Sequence, residues 1–151
     1  MNISKNGLEL IKHFEGLSLK AYKCPAGINT IGYGHTNKVK ITDVISLDEA
    51  NAFLLIDLRQ SENLVKSNIK VKISQSEFDA LVSLAFNLTL KSFKMLAGYV
   101  NVNKDIFRSK ILLYCKDING KVLQGLRTRR KAELMLFNGM DFQLIKESLN
   151  L

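Results

Sequence analysis

Long hydrophobic runs, a secretion signal and low-complexity tracts are all missing from this sequence. No stretch approaches the roughly 18 unbroken apolar residues that a membrane-spanning helix needs. Charged residues interrupt any apolar core near the start of the chain, which argues against a signal peptide; they include Glu9, Lys12 and Glu15. Proline occurs once, and no Gly/Ser-rich or Pro-rich tract indicates a linker. We therefore expect neither stable membrane insertion nor an export segment.

Cysteine is also scarce. The chain contains two, Cys24 and Cys115, which are too few for a disulfide framework and have no metal-ligand spacing. We expect a reducing compartment, no metal and no cofactor.

The length and the apolar content limit the fold. The chain has 151 residues, 46% of them hydrophobic, which excludes intrinsic disorder and suits one compact domain or two small lobes.

The net charge of +8 is distributed unevenly along the chain. Residues 1–69 carry eight basic and seven acidic side chains, whereas residues 70–151 carry fourteen and seven. A basic surface attracts polyanions such as nucleic acid, anionic lipid or an acidic cell-wall polymer. A merely solubilising surface is the alternative.

Hydrophobic periodicity and capping signals predict a mostly helical chain. Ser4 and Gly16 bracket a first helix, and residues 29–36 resemble a short strand or hairpin. Ser-x-x-Glu capping boxes begin helices at Ser46 and Ser74. Further helices are predicted at about 92–101, 105–116 and 126–137, with a turn at Asn119-Gly120 and a short helix near the C-terminus.

This layout predicts a small β-containing N-lobe over about residues 14–46 and a connecting helix over about 47–67. A helical C-lobe would cover about 70–151, with residues 1–13 packing on it. Two lobes of this kind leave a cleft, which is the usual place for a ligand.

Three blocks of sequence carry a family resemblance. The first places Glu15, Cys24 and Thr30 at intervals of eight and five intervening residues, within FEG (14–16) and TIGYGH (30–35). The second is QSEFDALVS (75–83) followed by AFN (85–87), and the third is GLRTRRKAE (125–133) followed by LF (136–137). In this order, the blocks closely resemble the phage-type lysozymes, the endolysins of glycoside hydrolase family 24.

The resemblance implies an α+β lysozyme-like fold. It also implies a monomeric muramidase that cleaves the β-1,4 bond between N-acetylmuramic acid and N-acetylglucosamine in bacterial peptidoglycan, with inversion, for host lysis by a phage or prophage. The enzyme would stay in the host cytoplasm until a holin permeabilises the membrane, and would then act in the periplasm or on the cell wall.

The chemistry needs an acid for the leaving oxygen and a group that delivers water. Glu15 is the candidate acid, since the partial negative charge of a helix C-terminus helps to keep it protonated. Cys24 stands where many family members have Asp, although Cys also occurs there, and it is a candidate base, water-holder or nucleophile. Thr30 would hold the attacking water. For Cys24 the alternative is an inert, buried small hydrophobe, and for Thr30 a simple strand former.

The resemblance also implies substrate contacts by Gly34, Phe86 and Asn87. It further implies that the Arg129 side chain extends from the C-lobe to the catalytic Glu15. Phe86 is equally compatible with a place in the core. His35 is expected to be structural. After Asn87 the family usually has glycines, whereas residues 88–93 read LTLKSF here, so substrate contacts in that corner are expected to differ.

Two other functions remain open at this point. A nucleic-acid-binding module would explain the basic run from Arg127 to Lys131, but it leaves the spacing of Glu15, Cys24 and Thr30 to chance. A catalytically inactive wall-binding homologue would keep the fold and the charge without turnover.

Overall fold

A computed structural model describes all 151 residues, and it is mainly helical with one small sheet. The helices are α1 (Lys5–Glu15), α2 (Leu47–Asn68), α3 (Gln75–Asn87), α4 (Leu90–Val102), α5 (Lys104–Lys110), α6 (Gln124–Phe137) and α7 (Phe142–Leu149). The strands are β1 (Ser18–Lys23) and β2 (Asn29–Gly32), and a short 3-10 helix spans Ile111–Leu113. The predicted α+β class is confirmed. None of the helices combines the length and apolarity needed to cross a membrane.

The chain divides into two compact units. One consists of Met1–Leu10 together with Ser61–Leu151, and we call it the helical unit; the other is Ile11–Gln60, the hairpin unit. The boundaries fall within α1 and within α2, so neither unit is a continuous set of whole elements.

The hairpin unit is built on two antiparallel strands. Tyr22 pairs with Thr30 and Lys23 with Asn29, and the register is irregular between Ser18 and Tyr22. Apolar side chains are buried on β2 and on one face of α2; they are Ile31, Ala50, Leu54 and Leu58. This burial fixes β2 and the turn that follows it.

His35 closes this turn from the inside of the hairpin unit. Its backbone bridges to Ile31, its Nδ1 lies 2.8 Å from an Asp57 carboxylate oxygen, and its ring stacks on Phe53 at a centroid distance of 4.4 Å. Only 8% of His35 is exposed. These contacts agree with the structural role expected for this residue.

The helical unit has a continuous apolar core. Helix α3 packs on α6, and α4 packs on α5. The Phe107 and Phe137 rings lie 4.4 Å apart, and the other large buried side chains include Phe78, Leu81, Leu84, Phe93, Leu96 and Leu136.

Both predicted capping boxes are confirmed. Ser74 accepts from the backbone of Glu77, and the Glu77 carboxylate accepts from the backbone of Ser74. Ser46 and Glu49 make the same reciprocal pair at the start of α2.

The predicted helix over 105–116 is confirmed at its start and wrong at its end. It begins at Lys104, and the Asn103 side chain caps it by accepting from the Asp105 backbone. The α-helix ends at Lys110. Beyond it, Lys116 pairs with Val122 around the Asn119-Gly120 turn, and this pairing competes with helical hydrogen bonding.

A buried carboxylate anchors the start of α1 within the helical unit. Asp79 is 1% exposed, and it accepts from the backbone and hydroxyl of Ser4 and from Gln75. Its negative charge lies at a helix N-terminus, where it is favourable. Gly7 permits this approach, because a Cβ at that position would lie 2.6 Å from the Asp79 Cβ.

We therefore predict opposite effects for two glycine substitutions. Gly7→Ala is expected to lower the free energy of unfolding by about 1–3 kcal/mol, because the methyl group overlaps Asp79. Gly98→Ala is the matched control, since a Cβ there meets no atom within 4 Å. Because alanine favours the helical conformation of α4, it should raise the free energy of unfolding by about 0.5–1 kcal/mol. Urea denaturation measures both, and equal stabilities for the two variants would contradict the close approach.

Candidate active site

Glu15 is positioned by the end of α1. It is the last residue of the helix, and Gly16 terminates the helix with φ of +70° while its N–H donates to the Lys12 carbonyl. The half-buried Glu15 side chain extends toward the turn after β2, because a Cβ placed on Gly34 would lie 3.9 Å from Glu15 Oε2. Gly34 has φ of +95°, so an L-residue there would be strained.

Cys24 is positioned by the loop that joins the two strands. It directly follows β1, and its N–H donates to the Ile28 carbonyl at 3.0 Å, while its own carbonyl accepts from the Gly27 N–H at 2.8 Å. These bonds close a tight loop around a half-buried thiol.

Thr30 lies on β2 beside this loop. It is 4% exposed, and its hydroxyl donates to the Ile28 carbonyl at 2.9 Å. The structure therefore brings Cys24 and Thr30 together around Ile28.

The environment of Cys24 favours its ionised form. The backbone N–H of Ile28 is the main cause that lowers the pKa of the thiol, and the Ala26 amide and the Thr30 hydroxyl add to it, against a smaller opposing effect of burial. Hydrogen bonds to a charged form stabilise that form. The loop therefore favours a thiolate without a cationic side chain.

Phe86 and Asn87 lie at the last turn of α3 in the helical unit, and both are half-buried. The Asn87 Oδ1 accepts a hydrogen bond of 2.7 Å from Arg130 Nη2.

Arg129 lies in the same unit, and its predicted approach to Glu15 stays a prediction.

Sequence reasoning missed a buried charge cluster around Glu133. Arg129, Arg130 and Glu133 are 4%, 0% and 0% exposed. Arg130 Nε lies 2.6 Å and Arg129 Nε 3.2 Å from Glu133 oxygens, and the Ser83 hydroxyl donates to the same carboxylate at 2.6 Å. Burial lowers the pKa of Arg130, and the charge of Glu133 opposes that effect.

This cluster changes the interpretation of the basic run from Arg127 to Lys131. Two of its arginines are buried and paired, so the run is not a continuous exposed basic patch; Arg127 and Lys131 are the exposed members. The spacing from Arg129 and Arg130 to Glu133, four and three residues, was the signal available in the sequence.

Metal ligands do not cluster in this chain: no three His, Cys, Asp or Glu side chains are grouped so as to hold an ion. The second thiol, Cys115, is buried, at 6% exposure.

The hairpin unit thus holds a glutamate at the end of α1, a thiol in the loop between the strands and a hydroxyl on β2. The sequence profile described as phage lysozyme matches residues 12–133. The endolysin of Acyrthosiphon pisum secondary endosymbiont phage 1 is 42% identical over 91% of this chain and 98% of its own length. The endolysin of Bacillus phage PZA is 41% identical, and this chain spans 55% of its length.

Solved structures share the fold. An endolysin from Escherichia coli O157:H7 phage FAHEc1 superposes with a TM-score of 0.84 at 35% identity, covering 92% of this chain and 94% of that one. The chain belongs to the phage lysozyme family and is of the endolysin type, the lysozyme-type peptidoglycan hydrolases of phage.

The lowered pKa of Cys24 predicts that the thiol is alkylated at a lower pH than an ordinary cysteine. The rate of reaction with iodoacetamide should rise with pH at a midpoint below that of an unperturbed cysteine, because the thiolate is the reactive form. Thr30→Val should move the midpoint upward, since the Thr30 hydroxyl is one of the groups that lower the pKa of the thiol. Mass spectrometry of the labelled native protein measures both.

Cys115→Ala is the control and should leave the profile unchanged, whereas Cys24→Asp should remove the fast reaction. A midpoint at or above the ordinary value would contradict the favoured thiolate.

Proposed function

We propose that this protein is an inverting muramidase that cleaves the β-1,4 bond between N-acetylmuramic acid and N-acetylglucosamine. The observation that carries the proposal is the hairpin geometry: the Cys24 thiol and Thr30 hydroxyl meet at Ile28, and the Glu15 carboxylate lies at Gly34, a separate position on the same hairpin unit. Inversion uses an acid for the leaving oxygen and a second group that activates water on the opposite face of the sugar, and these residues supply both groups.

In this proposal Glu15 is the general acid. It donates its proton to the glycosidic oxygen as the bond to the anomeric carbon breaks. The αL conformation of Gly16 ends α1 directly after Glu15, so the carboxyl group is held at a fixed helix end rather than on a mobile loop.

Cys24 and Thr30 activate and orient the attacking water. The Cys24 thiolate accepts one proton from water as the water oxygen attacks the anomeric carbon from the face opposite the leaving group. Thr30 has one hydroxyl proton, which it donates to Ile28 or turns toward the sulfur, so its oxygen lone pairs remain to accept from the water. Afterwards Glu15 is a carboxylate and Cys24 a thiol, and proton exchange with solvent restores both.

Host lysis places this activity after a membrane-permeabilising step. The enzyme would accumulate in the host cytoplasm and reach peptidoglycan in the periplasm once a holin opens the membrane, acting as a monomer on its polymeric substrate.

The assignment of the acid predicts that Glu15→Gln abolishes lysis while the protein stays folded. Glutamine keeps the shape of the side chain but cannot donate the proton, and a positioned acid contributes about 10²–10⁴ in rate. Turbidity loss of outer-membrane-permeabilised cells measures the activity, with circular dichroism as the check on folding. Lysis near the wild-type rate would remove Glu15 from the mechanism, and an inactive wild-type protein would indicate a wall-binding homologue instead.

The role of Cys24 predicts a contrast between two substitutions. Cys24→Asp should keep substantial activity, because a carboxylate supplies an anion and proton acceptor at nearly the same place, whereas Cys24→Ser should lose most of it, because the hydroxyl stays neutral. NMR of the fresh product gives the stereochemistry: an α-anomer indicates attack by water, and a β-anomer would make Cys24 a nucleophile. Full activity in Cys24→Ser would exclude both roles.

A further inference from the structure

One buried guanidinium contacts two residues that line the same pocket of the helical unit. Arg130 Nη2 donates to Asn87 Oδ1 at 2.7 Å, and Arg130 Nη1 lies 3.5 Å from the Tyr114 carbonyl. Asn87 and Tyr114 belong to different segments, yet both line a cavity of about 330 Å³. Its other lining residues are Leu88, Thr89, Ser92, Lys116 and Leu126.

The contact with Arg130 fixes which way the Asn87 amide points. A guanidinium can donate hydrogen bonds but cannot accept them. The atom of Asn87 that faces Arg130 is therefore the carbonyl oxygen, and the NH₂ group takes the other position on the amide carbon. Without such a partner, an amide in this pocket would be free to present either end.

Glu133 in turn fixes Arg130. Its two oxygens lie 2.6 Å from Arg130 Nε and 3.0 Å from Arg130 Nη2, and Ser83 bonds to the same carboxylate. Because none of the Arg130 or Glu133 surface is exposed, packing leaves this guanidinium one orientation. Its Nη2 has two protons, one for Glu133 and one for Asn87.

We propose that Arg130 is a positioning residue for saccharide binding, which holds the Asn87 amide so that its NH₂ group donates to an N-acetylhexosamine in this pocket. The acceptor is a carbonyl oxygen of an acetamido group or a sugar hydroxyl. The inference rests on the proposed muramidase function and adds to it a residue that does not touch the sugar. The Asn87 donor is expected to contribute to binding rather than to bond cleavage.

The decisive variant is Asn87→Asp. Aspartate keeps an acceptor for Arg130 but has no NH₂ group, so the buried contact remains while the donor is lost. We expect thermal stability equal to or above wild type, together with a Kd for chitotetraose that rises about fivefold or more, and Asn87→Ala should weaken binding equally. Chitotetraose is uncharged, so the new carboxylate does not repel it, and NMR titration gives the Kd. Wild-type affinity in Asn87→Asp would overturn the proposal.

A double-mutant cycle tests the part played by Arg130. Arg130→Lys keeps the charge but loses the two-proton Nη2 that bridges Glu133 and Asn87, so it should weaken chitotetraose binding in the wild-type background and have no further effect in Asn87→Ala. Arg127→Met, at an exposed position of the same helix, is the matched control. Equal weakening with and without Asn87 would show a general structural role and overturn the positioning role.

Kinetics separate positioning from loss of structure. On permeabilised cells, Asn87→Asp should raise KM and leave kcat near wild type, and a fall in kcat alone would contradict a role in binding. If Arg130→Lys fails to fold, Asn87→Asp still decides whether the Asn87 NH₂ group binds the sugar. Ser83→Ala, which loosens the Glu133 carboxylate that holds Arg130, then takes the place of Arg130→Lys in the cycle. Chitotetraose binding is measured without turnover, so a wild-type protein that binds the sugar but does not lyse cells would refute the muramidase function while leaving the positioning role intact.

Discussion

Burial of the Glu133 carboxylate is the constraint around which the polar interior of the helical unit is arranged. A carboxylate removed from water is tolerated when cations and hydrogen-bond donors are buried with it. Arg129, Arg130 and Ser83 supply them, all within 3.2 Å. Removing one partner of such a buried pair typically costs about 3–5 kcal/mol, so the register between α3 and α6 and the charge cluster support each other.

In the hairpin unit the charge in question is that of the Cys24 thiolate, and hydrogen bonds rather than ion pairs stabilise it. Its thiol is stabilised as an anion by backbone amides and a hydroxyl, with Ile28 at the centre. The loop between the strands aims N–H groups at the sulfur, and the Ile28 carbonyl accepts from both the Cys24 N–H and the Thr30 hydroxyl. The short loop thus lowers the pKa of the thiol through hydrogen bonds alone, with no cationic side chain among the causes.

Local signals predicted local structure well in this chain. The Ser46 and Ser74 capping boxes form as expected, because both partners lie within one helical turn. The predicted helix over 105–116 forms but ends early, because a pairing between Lys116 and Val122 redirects the chain after the 3-10 helix. Helix propensity carries no information about a competing bridge of that kind.

The sequence by itself determined the order of the elements, the position of Glu15 at a helix end and the spacing that brings Cys24 to Thr30, since each depends on residues close together in the chain. Only the tertiary structure decided that Arg129 and Arg130 are buried ion-pair partners rather than members of an exposed basic run. It also decided which end of Asn87 remains available. Asn87 lies 43 residues from Arg130, and Ser83 lies 50 from Glu133, and contacts at such separations arise only when α3 and α6 pack together and exclude water.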